Sequence, residues 1–216
     1  ILAIPNFSEG RDKIIIENIL SPFQNKKNVK LIDYNPDPDF NRTCFDVIGE
    51  VEAMFGALID MTRIAVENIN MEQQTGKHPR IGAQDTIPIF PLKNITLEEC
   101  KEFIEKLGKG IYSQLKLPVY FSGENARIPE RKNLAFIRKG QYEGLKKVVR
   151  TPERAPDIGP AELHPTAGAV ILSASARPLV AYNVFLDTDD VSIAKSIAKA
   201  VRGPSGGFST VRAIGL

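Results

Sequence analysis

Residues 76–91 read GKHPRIGAQDTIPIFP, and the rest of the chain is organised around this stretch. Its closely spaced glycines and prolines disfavour a helix. A residue that precedes proline is pushed towards extended geometry, so we expect a loop to present the side chain of His78. Imidazole exchanges protons near neutral pH, and the chain has only two histidines. His78 is therefore the first candidate for a general base. The alternative is a loop histidine that merely binds a neighbouring carbonyl group.

Composition indicates a globular protein. The chain has 216 residues, of which 43% are hydrophobic, enough for one large domain or two small ones with a real core. No apolar run approaches the roughly 18 to 20 residues that a membrane-spanning helix needs, and the start lacks a signal-peptide pattern. Cys44 and Cys100 have no metal-binding or disulfide-framework spacing, which favours reduced thiols. We therefore expect a cytoplasmic protein that has no membrane segment and no metal site.

Basic residues are concentrated between residues 127 and 150, although the net charge is only +2. Such residues usually form a solvated surface, but they are also compatible with a small anionic substrate. A nucleic-acid-binding module is disfavoured because the chain has no tryptophan and its basic residues are not interleaved with aromatic ones. The residues concerned are Arg127, Arg131, Lys132, Arg138, Lys139, Lys146, Lys147 and Arg150.

Hydrophobic periodicity predicts an alternation of strands and helices. The predicted strands are residues 1–7, 29–34, 43–49, 86–91, 118–122, 169–173, 179–186 and 209–214. The first predicted helix begins after residue 11, with Ile14, Ile15, Ile19 and Leu20 as its apolar face. The second begins after residue 50. The third begins at Thr96, which should form a capping box with Glu99. Helical pieces follow at 133–139, 143–149 and 190–201. The first six elements run strand, helix, strand, strand, helix, strand. We therefore predict an α+β fold: a ferredoxin-like split βαβ subdomain with a mixed sheet covered by helices, followed by part of a second similar αβ subdomain.

Three local patterns give more specific predictions. Residues 35–42 are too rich in turn formers to suggest a tight hairpin. The prolines of residues 86–91 favour a strand at a sheet margin. Residues 151–168 form a long segment without periodicity, which is typical of a binding loop. The loops of residues 35–42, 76–85, 123–127 and 151–168 all flank predicted strands. Several of them could therefore meet at one sheet edge and form a small-molecule site.

Known nucleotide, hydrolase and metal motifs do not occur in the sequence. There is no P-loop, no GxGxxG after a strand, no GxSxG elbow and no paired-histidine motif. The chemistry that remains is acid–base or transfer chemistry around His78.

Six motifs resemble, in order and at compatible spacing, the signatures of the glutamate formiminotransferase domain. They are IPNFSEGR at 4–11, DPDFNRT at 37–43, HPRIGAQD at 78–85, PVY at 118–120, APDIGP at 155–160 and AYNV at 181–184. That domain occurs alone in bacteria and fused to a cyclodeaminase in animals. The resemblance covers nearly the whole chain.

The resemblance implies transfer of a formimino group from N-formimino-L-glutamate to N5 of tetrahydrofolate, the co-substrate, in histidine breakdown. It assigns the catalytic base to His78. Asp39, Arg42 and Arg80 become candidates for binding the substrate, because an arginine fork matches a carboxylate at two points. Ion pairs that brace the loops are the alternative role for these three residues.

The resemblance also assigns tetrahydrofolate binding to one loop, where glycine lets the backbone approach a flat pterin edge. That loop comprises Gly159, Pro160, Ala161, Glu162, Leu163, His164, Pro165, Thr166, Ala167 and Gly168. We expect residues 1–177 to form the N-terminal subdomain and residues 178–216 part of the C-terminal subdomain, since the family domain continues further. A homodimer is expected.

Two alternatives to this function stay open. Phe40 stands where many bacterial relatives carry a histidine, which leaves a non-catalytic folate-binding paralogue as one alternative. A transferase that uses formyl-glutamate is the other, because the motifs do not determine the donor.

Overall fold

The computed structural model of the chain describes residues 1–178 and 184–215. The chain divides into two compact units, Ile1–Pro178 and Leu179–Leu216. The strands are β1 (Leu2–Ala3), β2 (Asn6–Phe7), β3 (Val29–Asp37), β4 (Arg42–Gly49), β5 (Gln84–Phe90), β6 (Val119–Gly123) and β7 (Val170–Ala174). The helices are α1 (Lys13–Leu20), α2 (Val51–Asn68), α3 (Leu97–Leu115), α4 (Leu134–Ile137), α5 (Gln141–Val148) and α6 (Val191–Val201), with short 3-10 helices at Ser21–Phe23, Pro129–Lys132 and Gly203–Ser205.

The strands of the first unit form one mixed sheet. From one edge to the other the order is β3, β4, then β1 and β2 in a single position, then β5, β7 and β6. The strands from β3 to β5 pair antiparallel, whereas β5, β7 and β6 are parallel. The order of the first four strand positions, with α1 and α2 as connections, is the ferredoxin-like split βαβ arrangement. The predicted α+β class is confirmed.

β5 lies in the interior of the sheet, so the prediction that it lies at a margin is wrong. Proline is tolerated there because the neighbouring strand is interrupted at the same level, between β1 and β2. The carbonyl oxygen of Pro88 accepts a bond from the N–H of Ile4 at 3.0 Å. Pro88 has no N–H to return, and the carbonyl of Ile4 instead accepts the side-chain amide of Asn6 at 2.9 Å.

The connection between β3 and β4 is a tight hairpin, contrary to the prediction for residues 35–42. β3 extends to Asp37, and only residues 38–41 connect it to β4. Oδ1 of Asp37 accepts the backbone N–H groups of Asp39 and Phe40, each at 2.9 Å. Asn41 takes a left-handed φ of 49°. The turn formers therefore close a hairpin and do not make a long loop.

Caps set the registers of the first and third helices. Thr96 and Glu99 form the predicted capping box at the start of α3. Asp12 caps α1, and in the resulting register Ile16 is buried while Ile14 is 74% exposed. The prediction that Ile14 belongs to the apolar face of this helix is therefore wrong.

β6 and β7 bury both of their faces. One face joins the main core with α1, α2 and α3. The other face, through Tyr120 and Ile171, packs against Ile137 of α4 and Leu145 of α5. Ile81 belongs to this smaller cluster, so the stretch that precedes β5 is anchored to the layer formed by α4 and α5.

The described part of the second unit contains α6, as predicted, with Asp190 as its N-cap. The predicted strand at 209–214 is wrong. Backbone groups near it bind the end of the helix instead: the N–H of Phe208 donates to Val201 at 2.9 Å, and the N–H of Gly203 donates to Val211 at 3.0 Å. Most of the predicted strand 179–186 lies outside the described residues. Across the described residues, every helix is too short or too polar to span a bilayer.

Candidate functional site

The tip of the β3–β4 hairpin is joined to two other segments. Oδ1 of Asn41 accepts the N–H of Gly10 at 2.9 Å, and its Nδ2 donates to the carbonyl of Thr75 at 2.8 Å. A Cβ atom on Gly76 would lie 2.3 Å from the carbonyl oxygen of Phe40, so only glycine fits there. The hairpin tip and the loop of residues 76–85 therefore form one assembly.

His78 is half-buried in this assembly, beside the hairpin tip. Its Nδ1 is 2.7 Å from the carbonyl oxygen of Pro79. Because a carbonyl oxygen only accepts hydrogen bonds, Nδ1 carries the proton and Nε2 keeps the lone pair. The ring of Phe40 meets the imidazole edge to face, with centroids 5.9 Å apart and an angle of 74° between the planes. The carbonyl contact expected of an ordinary loop histidine is thus present, and it orients the ring for a base at Nε2.

Burial, and then the positive charges of Arg42 and Arg138, lower the pKa of His78 from 6.5 to about 4. The contact with Pro79 and the charge of Asp85 act in the opposite direction and do not compensate. At neutral pH the imidazole is therefore uncharged, which is the form that can accept a proton.

Asp85 binds both of these arginines. Its carboxylate is completely buried, and Oδ1 accepts the N–H of Ile81 at 2.8 Å. Oδ2 accepts Arg42 at 2.8 Å and also accepts Arg138. Burial alone would raise the pKa of Asp85, but the two guanidinium groups and the bond from Ile81 lower it to about 2. Two cations therefore share one anion.

Arg42 is buried and largely engaged by the protein. Besides the bond to Asp85, its Nε donates to Oδ1 of Asn6 at 3.0 Å. A longer contact, 3.5 Å, reaches the hydroxyl group of Thr86. Burial lowers the pKa of Arg42, and Asp85 opposes that shift. A substrate that binds Arg42, as predicted, would therefore meet a guanidinium group that Asp85 and Asn6 already hold in place.

Arg80 is also buried, and each of its guanidinium nitrogens has an acceptor. It binds Glu143 in two-point fashion at 2.8 and 2.9 Å. Gln74 accepts from Nε at 2.7 Å, and its carbonyl accepts from a terminal nitrogen at 2.9 Å. Gln141 completes the set at 3.0 Å. These contacts brace the loop, which is the alternative role that the sequence left open.

Asp39 lies at the hairpin tip with a side chain that is 83% exposed. Its carboxylate is 3.9 Å from Nζ of Lys77, which is also exposed. An exposed pair at this distance contributes little to stability. Asp39 is therefore available to a ligand.

The loop of residues 159–168 is joined directly to the loop that carries His78. The N–H of Ala83 donates to the carbonyl of Ala167 at 2.9 Å. Gly82 pairs with Gly168 in an antiparallel bridge. Gly168 has a φ of 73°, and a Cβ atom there would lie 2.1 Å from the carbonyl oxygen of Ile81. Two of the predicted binding segments are thus brought together by backbone pairing.

His164 organises the interior of the 159–168 loop. Its Nδ1 accepts the backbone N–H groups of Thr166 and Ala167 at 3.3 and 3.1 Å. Nδ1 is therefore unprotonated, and burial lowers the pKa of this imidazole. The side chain acts as a local cap for the turn.

A cavity of about 320 Å³ borders this loop. Four predicted folate-loop residues line it, together with two lysines of α5 and Arg150. Its volume is at the lower end of the range for small-molecule sites. Its lining includes Glu162, Leu163, His164, Pro165, Lys146, Lys147 and Arg150.

A larger cavity of about 550 Å³ lies elsewhere and is rich in carboxylates, namely Glu50, Glu52, Glu99 and Glu102. Lys93 and Lys106 also line it, so its charge is mixed and does not favour an anionic substrate.

Residues 123–127 do not join the site. They follow β6, whereas the loops of His78 and Gly168 precede β5 and β7, and these three strands are parallel. The segment therefore lies at the opposite end of the sheet, and the sequence prediction that it could share an edge with the other loops is wrong.

Sequence reasoning does not identify two residues of this assembly. Asp85 stands inside the HPRIGAQD motif, where a carboxylate next to a buried strand is a usable signal. Arg138 has no such signal, because it stands in a run of basic residues that is typical of a solvated surface. Among the described residues, no group of His, Cys, Asp and Glu side chains is arranged to hold a metal ion.

Comparisons with known proteins identify the family of this chain. Residues 1–175 match the family model described as the formiminotransferase domain, N-terminal subdomain. The chain is 40% identical over 213 residues to a glutamate formimidoyltransferase of Streptococcus pyogenes, covering 99% of this chain and 71% of the relative. It is 37% identical to the enzyme of the same name from Thermoplasma acidophilum, covering 98% and 70%. A formimidoyltransferase-cyclodeaminase of Gallus gallus is 36% identical, with 98% of this chain and 40% of the relative covered. The chain belongs to the formiminotransferase domain family.

Proposed function

We propose that this chain is a glutamate formimidoyltransferase that moves the formimino group of N-formimino-L-glutamate to N5 of tetrahydrofolate, a step of histidine breakdown. The observation that carries the proposal is His78: a half-buried imidazole whose Nδ1–H is bound by a carbonyl, which leaves the lone pair on Nε2. Relatives that bear this enzyme name cover nearly the whole chain.

His78 acts as the general base in this proposal. N5 of tetrahydrofolate attacks the formimino carbon and becomes positively charged in the tetrahedral adduct. Nε2 of His78 removes the N5 proton. The nitrogen of glutamate then takes a proton from the imidazolium and leaves as an amine, so that the proton lost by N5 balances the one gained by glutamate.

The low pKa of His78 suits the second half of this cycle. An imidazole with a pKa of about 4 is a weak base, but the N5 of the adduct carries a positive charge and is correspondingly acidic. The imidazolium that forms is a strong acid, and it readily protonates the leaving nitrogen. The surroundings of His78 thus favour prompt return of the proton.

We assign substrate contacts to Asp39, Arg42 and Arg80. The exposed carboxylate of Asp39 suits the positively charged formimino group. A substrate carboxylate that binds Arg42 would share its guanidinium group with Asp85. One that binds Arg80 would share that guanidinium group with Glu143. A carboxylate that binds Arg80 has to exchange with Glu143, whose side chain is 60% exposed and therefore able to move away.

We assign tetrahydrofolate to the loop of residues 159–168. The backbone pairing of Gly168 and Gly82 joins this loop to the one that carries His78. The adjoining cavity offers Lys147 and Arg150, together with Lys146, which already pairs with Glu72. These cations suit the carboxylates of the glutamate part of the folate.

An absorbance assay with tetrahydrofolate and either formimino-glutamate or formyl-glutamate tests the reaction. Turnover with the formimino donor is the expected result. Turnover with only the formyl donor would reassign the substrate. Tetrahydrofolate binding without turnover of either donor would identify a non-catalytic paralogue, the alternative that Phe40 suggests.

We further propose that residues 1–177 are the N-terminal subdomain and residues 178–216 part of the C-terminal one. The family match to residues 1–175 supports this boundary, and limited proteolysis should cut near residue 178. A homodimer is proposed as well, with sedimentation as its test. A cytoplasmic location is supported by the two free cysteines, Cys44 and Cys100.

A further inference from the structure

Asp85 neutralises only one of the two arginines that it binds. Its carboxylate is completely buried, and Oδ2 accepts both Arg42 and Arg138. Within the described residues, neither arginine pairs with a second carboxylate. The side chains of the two arginines are only 8% and 14% exposed, so water screens the excess positive charge poorly. The cluster is therefore complementary to one further negative charge.

The two arginines differ in how many of their N–H groups are used. Each guanidinium nitrogen of Arg42 has a contact, namely Asn6 at 3.0 Å, Asp85 at 2.8 Å and Thr86 at 3.5 Å. In the part of the chain that the structure describes, Arg138 donates to Asp85 through Nη2 alone. Its buried Nε has no acceptor there, and its Nη1 makes no hydrogen bond. Arg138 therefore keeps donors that a ligand can use.

A guanidinium group with unused donors is costly in a protein interior, because its N–H groups have lost water without gaining an acceptor. Arg80 shows how an arginine that braces a loop avoids this cost, since each of its guanidinium nitrogens has an acceptor. A bracing role for Arg138 would engage its nitrogens in the same way. The unused N–H groups favour a ligand contact instead.

The backbone of Arg138 is fixed by its own segment. Arg154 donates to the carbonyl groups of Phe136, Ile137 and Lys139, the last two at 2.9 and 3.1 Å. These carbonyls flank residue 138 at the end of α4. A side chain that starts from a fixed turn loses less freedom when it binds a ligand, and this favours affinity.

Asp85 connects the two arginines with the loop that carries His78. Its Oδ1 accepts the N–H of Ile81 at 2.8 Å, while its Oδ2 accepts the arginines. Ile81 and Asp85 both belong to the HPRIGAQD motif, to which we assign the catalytic base. Arg138 does not line the cavity beside α5, to which the carboxylates of the folate are assigned. An anion bound by Arg138 is therefore best explained as part of the other substrate.

We propose that Arg138 binds a carboxylate of the formimino donor, and that this contact selects a glutamate derivative as the substrate. The identity of the donor rests on the proposed function. The donor has an α-carboxylate and a γ-carboxylate, and the chemistry of a guanidinium group suits both.

Calorimetric titration measures donor binding without turnover. N-formimino-L-glutamate is titrated into the protein with and without N5-methyl-tetrahydrofolate, whose N5 has no proton to lose and so does not accept the group. Arg138→Gln should raise the dissociation constant of the donor roughly 10- to 100-fold, the usual range for a lost hydrogen bond to a charged group. The dissociation constant of the folate should not change. An unchanged constant for the donor would overturn the proposal, and so would an unmodified protein that binds no donor under either condition.

Two donor analogues identify the carboxylate. N-formimino-γ-aminobutyrate lacks the α-carboxylate, and N-formimino-L-norvaline has a methyl group in place of the γ-carboxylate. The loss caused by Arg138→Gln should vanish for the analogue that lacks the contacted carboxylate and persist for the other. An equal loss for all three ligands would overturn the proposal, because Arg138 would then act on neither carboxylate.

Further variants control for charge and for packing. Lys139→Gln removes a positive charge from the adjacent, exposed position and should leave donor binding unchanged. Arg138→Lys keeps the charge but not the planar fork, so it should recover only part of the affinity. Where Arg138→Gln does not fold, Arg138→Met keeps the aliphatic stem and replaces it. Donor binding that depends on Arg138 but leads to no transfer would support this proposal and refute the proposed function.

Discussion

Gly82 and Ala169 approach each other so closely that a Cβ atom on Gly82 would lie 2.0 Å from the carbonyl oxygen of Ala169. This approach joins the loop before β5 to the loop before β7. It brings the segment that carries His78 against the segment to which we assign tetrahydrofolate. The site is therefore built on a backbone contact between residues that are far apart in the chain.

Gly82→Ala should loosen this contact. The new Cβ atom meets a backbone oxygen, which cannot rotate away, so we expect a loss of roughly 1 to 3 kcal/mol in the free energy of unfolding and weaker tetrahydrofolate binding. Urea unfolding and a binding titration measure the two effects. Gly144→Ala is the control: nothing lies within 4 Å of that position in α5, and alanine should stabilise the helix by about 0.5 to 1 kcal/mol. Equal stability of both variants would contradict the interpretation.

His78→Asn should slow transfer by roughly 10²- to 10⁴-fold in kcat, the usual contribution of a general base. The dissociation constant of tetrahydrofolate should change little, because the loop of residues 159–168 is not altered. Steady-state kinetics and a binding titration check both statements. Retained kcat would remove His78 as the base.

His164→Ala should show the opposite pattern. Loss of Nδ1 removes the acceptor for the N–H groups of Thr166 and Ala167, so the loop becomes less ordered. We expect the KM for tetrahydrofolate to rise several-fold, with a smaller effect on kcat. A lower kcat at an unchanged KM would exclude a folate-binding role for this loop.

Stability should fall as the pH is lowered from about 6.5 to 4. The pKa of His78 is about 4 in the folded protein and 6.5 in an unfolded chain, so between these values the unfolded state binds more protons. Since the ring is partly exposed, we expect a loss of only about 1 to 2 kcal/mol from this residue. Urea unfolding at pH 7.5 and 5 measures it. His164 contributes in the same direction, so the difference between the unmodified protein and His78→Asn isolates His78. Equal pH dependence of the two would contradict the shift.

Asp85→Asn should destabilise the fold by about 3 to 5 kcal/mol, because it leaves Arg42 and Arg138 buried without their anion. Thermal or urea unfolding measures the loss. Asp60→Asn is a matched control, since the side chain of Asp60 is 56% exposed and its pair with Arg63 is 3.8 Å long. The control should stay within about 0.5 kcal/mol of the unmodified protein. A neutral Asp85→Asn variant would show that the carboxylate does not compensate the two arginines.

Local sequence patterns predict much of the secondary structure. The capping box of Thr96 and Glu99 and the periodicity of α2 depend on residues close in sequence, and both elements occur where they are predicted. The margin predicted from Pro88 was wrong because proline is tolerated in this interior strand where the neighbouring strand is interrupted, between β1 and β2. The predicted burial of Ile14 was wrong because the cap at Asp12 sets which face of α1 is buried.

The sequence by itself determined the α+β order of elements, the family motifs and the choice of His78, because the proline that follows it and the scarcity of histidine are visible in the chain. Tertiary structure alone decided which charges surround that imidazole. Arg138 is separated from Asp85 by 53 positions, and only the packing of α4 against the sheet brings the two together. Burial then makes the uncompensated charge matter, since water no longer screens it.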